Sequence, residues 1–180
     1  MNVYYGKNLC ENATKRSIDL IVSLGIKLNM NSLFVYGVLS DVEIISALLE
    51  RSPCMMPDEV SGYQASSVSQ TGWSPFPVML ESKESVVNGY VVYNLIDSDF
   101  NILDAFECVK DSIFIRSDIT SNLYGKTQAY FPTKVMLRDF TLGEYWALDS
   151  IVSVKEEYLK SVIPSFKKEF AGLYKGRPIV

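Results

Sequence analysis

The chain of 180 residues is 48% hydrophobic and 21% charged, enough apolar material for one compact domain, which excludes the disordered and fibrous classes. Its 17 Lys and Arg against 21 Asp and Glu give a formal charge of -4, so no global field is available to hold nucleic-acid phosphates or anionic lipid. There is no histidine, which excludes Ser-His and Cys-His pairs, histidine-ligated zinc and imidazole acid–base chemistry.

In chain order, Thr14 as an N-cap with Ile18, Ile21, Val22 and Gly25 at helical spacing predicts a short amphipathic helix. It forms part of an N-terminal helical extension, residues 1–31. The main domain, residues 32–150, opens with the strand Leu33-Phe34-Val35-Tyr36 and a turn at Gly37. Ser40-Asp41-Val42-Glu43 has capping-box spacing and starts a helix through Ile44, Ile45, Ala47, Leu48 and Leu49, which Pro53 and Pro57 close. Strands are predicted around 60–63, 76–80 and 86–95. Asn88-Gly89 reads either as a hairpin turn or as a bulge in one continuous strand. Asp97 or Ser98 caps a helix carrying Phe100, Leu103 and Phe106 and ending at Glu107. Two further strands, 114–119 and 127–131, precede a polar connection and an aromatic-rich piece at 140–148. A C-terminal helical extension, 151–180, is expected to pack on the same domain. Its Tyr158, Val162, Phe166 and Phe170 form one stripe that reads as core, and Pro164 is expected to kink or split it.

Cys10, Cys54 and Cys108 are an odd, widely spaced set without a CxxC pair, which fits a reducing, cytoplasmic setting and neither a disulfide framework nor a thiolate metal site. No run approaches the roughly 18 to 20 apolar residues of a membrane span, and Asp19 and Ser23 interrupt the apolar residues near the N-terminus, so no secretory signal is expected. Gly125-Lys126-Thr127 has Thr120 where a phosphate loop needs its first glycine and reads as a turn before a strand. Gly72-Trp73-Ser74-Pro75-Phe76 lacks the second glycine of a nucleophile elbow.

Two distant segments carry chemistry. The turn Tyr36-Gly37-Val38-Leu39, between a hydrophobic strand and a capped helix, leaves backbone N–H groups that suit a carboxylate. The segment Leu103-Asp104-Ala105-Phe106-Glu107-Cys108 puts an acid at the end of an apolar helix. In combination and order these segments resemble the gamma-glutamyl cyclotransferase-like family, in particular its gamma-glutamylamine cyclotransferase and avirulence-induced-gene-like branch. There a YGTL or YGSL turn is followed 60 to 75 residues later by an LDxxEG segment bearing the catalytic glutamate. Phe34-Val35, Gly62-Tyr63, Phe76-Pro77, Gly89-Tyr90-Val91-Val92-Tyr93 and Ala129-Tyr130 also match that pattern in order. The sequence departs at Val38, where Thr or Ser is usual, at Cys108, where Gly is usual, and at Phe114-Ile115-Arg116, a Tyr-x-Arg element displaced by three residues.

The resemblance implies an α+β fold, a small mixed β-barrel with flanking helices. It implies intramolecular attack of an alpha-amine on its own gamma-carbonyl, releasing 5-oxoproline from a gamma-glutamyl amine or gamma-glutamyl dipeptide, with no cofactor and no metal. Glu107 would be the catalytic acid–base, and Tyr36, Gly37, Val38, Leu39 and Tyr130 would bind substrate. The implied partner is that small molecule, with neither nucleic acid nor membrane. The alternative reading is a non-catalytic small-molecule-binding or regulatory protein on the same fold, and a thiol mechanism through Cys108 lacks a histidine to activate the sulfur.

Overall fold

A computed structural model of the chain describes residues 31–69 and 75–177. The helix expected from Thr14 to Gly25, Cys10 and the Gly72-Trp73 motif lie outside the described residues. The order is β1 (Leu33–Val35), a 3-10 turn (Val38–Ser40), α1 (Val42–Leu49), β2 (Cys54–Ser69), β3 (Phe76–Tyr93), α2 (Asp97–Phe106), β4 (Phe114–Ser121), β5 (Gly125–Pro132), α3 (Lys134–Asp139) and β6 (Thr141–Tyr145). After a 3-10 turn (Leu148–Ser153), α4 (Lys155–Glu157), a π-helical segment (Tyr158–Val162) and α5 (Ile163–Glu169) follow without a break.

One sheet runs in the order β4-β5-β1-β3-β2-β6 and curls into a half-barrel with flanking helices. β1 is the pivot: it pairs antiparallel with β3 (Phe34↔Val91) and parallel with β5 (Leu33↔Gln128). Its three residues are fully buried because strands flank it on both sides. The core is continuous from β1 through Ile44, Ile45, Leu48 and Leu49 of α1 to Ile102 and Leu103 of α2.

Several local expectations change in the structure. The N-cap of α1 is Asp41, not Ser40: its carboxylate accepts from the Glu43 and Ile44 amides at 2.9 and 3.1 Å, while Ser40 turns its hydroxyl back to the Gly37 carbonyl at 2.6 Å. α1 ends at Glu50, in left-handed backbone at φ 56°, before either proline. Pro57 lies inside β2, opposite Tyr90. β6 pairs only with the far end of β2, from Ser66 to Ser69, so the missing N–H of Pro57 removes no rung on that side.

Asn88-Gly89 makes no hairpin. β3 is continuous there, with Asp58↔Gly89 and Glu59↔Asn88 in register, and the irregularity falls further along, between Ser61↔Val86 and Tyr63↔Glu81, where Gly62 of β2, φ 86°, lies opposite residues 82–85 of β3. Gly89 is required by crowding: a Cβ would stand 2.3 Å from the Val35 carbonyl oxygen and 2.7 Å from the Phe34 ring. The polar connection after β5 holds α3, capped by the Thr133 hydroxyl on the Met136 amide at 3.2 Å. Pro164 does not split the C-terminal helix, because the π-helical segment immediately before it widens the turn where a proline would collide with the preceding carbonyls.

Candidate active site

β1 ends where Gly37 lets the chain pass Pro77: a Cβ on Gly37 would sit 2.5 Å from the proline Cγ. The backbone then coils into the Val38–Ser40 turn, with the Ser40 amide and hydroxyl both on the Gly37 carbonyl at 2.8 and 2.6 Å. That carbonyl is held back by two donors. Among the described residues the N–H groups of Gly37, Val38 and Leu39 make no hydrogen bond, leaving three amide dipoles that attract an anion ahead of α1.

Glu107 is placed by the end of α2. Its amide donates to the Leu103 carbonyl at 2.9 Å, the Cys108 amide to Ala105 at 3.1 Å and the Val109 amide to Asp104 at 2.9 Å. This is a Schellman termination, whose residue beyond the cap takes left-handed backbone and is usually glycine. Cys108 occupies it at φ 51°. The glycine of the LDxxEG pattern thus has a backbone reason, and a cysteine that adopts the same conformation keeps Glu107 in place.

Tyr36, Gly37, Val38, Leu39, Glu107 and Tyr130 all line one cavity of about 380 Å³. The structure therefore brings together every candidate site residue. The cavity walls are largely apolar, with Phe76, Phe106, Phe114 and Phe166 among them. Burial, and then the charge of Asp104, push the Glu107 carboxyl up to about 8. Among the described residues no hydrogen bond reaches that carboxylate. It is an acid poised near neutral pH, as proton transfer in both directions requires.

The tyrosines play a narrower part than their hydroxyls suggest. Tyr36 donates to the Tyr130 carbonyl at 2.9 Å and accepts from the Met79 amide at 3.1 Å. Tyr130 donates to Asp104 Oδ1 at 2.7 Å. Burial raises both phenols well above their ordinary value, and Tyr158 is pushed up to about 12 by burial and then by the charge of Glu107. All three stay neutral. With the hydroxyls of Tyr36 and Tyr130 committed inside the protein, these two residues offer the cavity ring surface.

Asp104 is the residue that sequence reasoning passed over. Three positions before Glu107 on the same helix face, it also takes a two-pronged contact from Arg116, Nε to Oδ1 at 2.8 Å and Nη2 to Oδ2 at 3.0 Å. The displaced Arg116 is thereby accounted for. It stacks on Phe100 at 4.1 Å and holds the acid that orients Tyr130, and it does not line the cavity. Cys108 does line it, but burial and then Asp111 raise its thiol above the ordinary range, which disfavours a thiolate nucleophile. Among the described residues no three His, Cys, Asp or Glu side chains gather as metal ligands would, and no helix is long and apolar enough to cross a membrane.

The curled six-strand sheet with flanking helices is a gamma-glutamyl cyclotransferase-like fold, as the comparisons with known proteins show. A solved gamma-glutamyl cyclotransferase is 15% identical and superposes with a TM-score of 0.56 over 84% of this chain and 90% of its own. A solution structure from Arabidopsis thaliana is 18% identical, with a TM-score of 0.52 over 83% and 87%. AIG2-like protein D of Arabidopsis thaliana is 30% identical over 81 residues, 45% of this chain and 51% of that protein, so the match spans about half the length of this curated relative. The chain belongs to the family of gamma-glutamyl cyclotransferase, AIG2-like proteins, which it matches over residues 33–148.

Proposed function

We propose that the protein is a cyclotransferase that releases 5-oxoproline from a gamma-glutamyl amine or gamma-glutamyl dipeptide. The observation that carries this reading is one cavity lined both by Glu107 and by Gly37, Val38 and Leu39, whose amides make no hydrogen bond among the described residues. The turn would hold the substrate's alpha-carboxylate, and the rings of Tyr36 and Tyr130 would fold the chain so that its own amine reaches the gamma-carbonyl. The nucleophile is already tethered, so positioning supplies much of the rate.

Ionised Glu107 accepts a proton from the alpha-ammonium, and the freed amine adds to the gamma-carbonyl carbon. Glu107 then returns that proton to the departing nitrogen as the bond to the gamma-carbon breaks. Two protons leave the ring nitrogen in all. Both end on the released amine, which departs as an ammonium, and the lactam keeps one N–H and its carboxylate. Contacts to the turn are main-chain, so Val38 in place of a hydroxyl residue leaves carboxylate binding intact.

The test is 5-oxoproline formation from a panel of gamma-glutamyl compounds by the natural chain and by Glu107→Gln. The natural chain is expected to turn over at least one compound, and the variant to lose about 100-fold or more, as loss of a general base does. Silence of the natural chain on every compound would favour the second reading, a non-catalytic small-molecule binder on the same fold.

A further inference from the structure

Resting on the cyclotransferase reading, we infer that Tyr158 is a further catalytic residue, whose hydroxyl donates to the substrate's gamma-carbonyl oxygen as ring closure turns it into an oxyanion. Tyr158 lies beyond the family match, which ends at residue 148, yet it lines the cavity that holds Glu107. It opens the π-helical segment Tyr158–Val162, a geometry that is rare in general and frequent at functional sites. Its ring packs against Phe106, the residue before Glu107, with centroids 6.3 Å apart. On the same C-terminal segment, Lys155 reaches Asp41 and Glu43 at 3.0 and 2.9 Å. The piece of chain that carries Tyr158 is thereby tied to the start of α1, directly after the Gly37–Leu39 turn.

Elimination singles out this hydroxyl. Among the described residues the cavity lining includes Tyr36, Tyr130 and Tyr158 and no lysine, arginine, serine, threonine, asparagine or glutamine. The Tyr36 hydroxyl donates to the Tyr130 carbonyl and the Tyr130 hydroxyl to Asp104. In the proposed pose the turn amides are taken by the alpha-carboxylate, and Cys108 offers only a thiol, a weak donor. The Tyr158 hydroxyl makes no hydrogen bond among the described residues, and the residue is partly exposed. Of the charges that act on its phenol, that of Glu107 is the strongest, so the hydroxyl stands in the field of the acid that moves the substrate's protons.

Tyr158 gives up no proton in this step. As the amine nitrogen bonds to the gamma-carbon, the carbonyl electron pair moves onto oxygen while Glu107 holds the ammonium proton. An oxyanion in a largely apolar cavity is costly unless a donor meets it. Burial and then the charge of Glu107 push the phenol up to about 12, so it stays protonated and acts as a fixed dipole. When the pair returns to re-form the carbonyl, the bond to the leaving nitrogen breaks, Glu107 supplies the proton, and Tyr158 is unchanged.

Tyr158→Phe keeps the ring and removes the hydroxyl. On the gamma-glutamyl compound that the natural chain turns over fastest, we expect kcat to fall about 100-fold with KM within about threefold, because the donor acts on the transition state. L-Methionine sulfone gives a readout without turnover, since its tetrahedral sulfur and two oxygens stand where the attacked gamma-carbon would be. Calorimetry on Glu107→Gln with and without Tyr158→Phe should show the sulfone bound about tenfold more weakly without the hydroxyl, and planar gamma-glutamyl-ethylamide changed far less. Turnover of Tyr158→Phe within about threefold of the natural chain, a loss carried by KM alone, or equal sulfone affinity with and without the hydroxyl overturns the inference and leaves the cyclotransferase reading standing. No 5-oxoproline from the natural chain together with a selective loss of sulfone binding overturns the cyclotransferase reading alone, and neither turnover nor binding overturns both.

Discussion

Glu107 carries two consequences of opposite use. With its carboxyl near 8 instead of the ordinary 4.5, the ionised form needed to accept the ammonium proton falls tenfold for each pH unit below that value. The pH profile of kcat/KM should therefore rise on its acid side towards pH 8. The same shift means that the folded state holds a proton between about 4.5 and 8 that the unfolded chain has released. Its contribution is complete below the lower value and is lost as pH rises through about 8, a cost on the order of a few kcal/mol. Denaturant titrations of Glu107→Gln should show that slope flattened, and an unchanged slope would place the group in water. Cys108 gives a second test at this scale. Left-handed backbone costs a residue with a Cβ about 1 kcal/mol or more, a cost glycine escapes. Cys108→Gly should stabilise by up to that amount, read as a higher urea midpoint, with turnover retained.

Among the elements, the site depends on β1 being pressed between its neighbours. Gly89 of β3 faces the Val35 carbonyl and the Phe34 ring, and β1 delivers the chain to the Gly37 turn. Gly89→Ala must force these strands apart. A loss of about 2 to 3 kcal/mol is expected, the range for overpacking a buried site, measured by chemical denaturation. β1, the turn, α1 and α2 were legible because their signals are local: a β-branched and aromatic run, a glycine, a capped apolar stripe. The 16 and 18 residues of β2 and β3 were not. Pro57 reads as a helix stop and Asn88-Gly89 as a turn or a bulge in sequence, whereas in the sheet Pro57 sits where a strand side is unpaired and Gly89 makes room for β1. α3 was hidden for the reverse reason, as its six residues bury only Met136 and carry no visible stripe.

Across the whole molecule, segments far apart in sequence are joined through Asp99, which is fully buried. Arg51, following α1, and Arg177, near the C-terminus, both pair with it, and the Ile96 amide donates to it at 3.0 Å. Removing the acid leaves two guanidinium groups facing each other in a poorly hydrated place, so Asp99→Ala should cost about 3 to 5 kcal/mol in unfolding free energy. A change below about 1 kcal/mol would mean that the cluster is solvated. Such long-range convergence is what a single sequence hides. Glu107 and the turn could be named from their motifs, but Asp104 with Arg116 and Tyr130, and the C-terminal stripe as a cavity wall, depend on tertiary packing that no spacing encodes. The stripe from Tyr158 to Phe170 reads as core; in the structure Phe166 is core and cavity wall at once.

The central claim is that one small zwitterion is gripped by the amides of Gly37, Val38 and Leu39 while its amine and gamma-carbonyl lie against residue 107. A crystal structure of Glu107→Gln with a bound gamma-glutamyl compound measures this directly. The account predicts the alpha-carboxylate within hydrogen-bond distance of those three amides and the alpha-amine within reach of the substituted side chain at position 107. A ligand seated elsewhere, or turned with its leaving group on the amides, would contradict it.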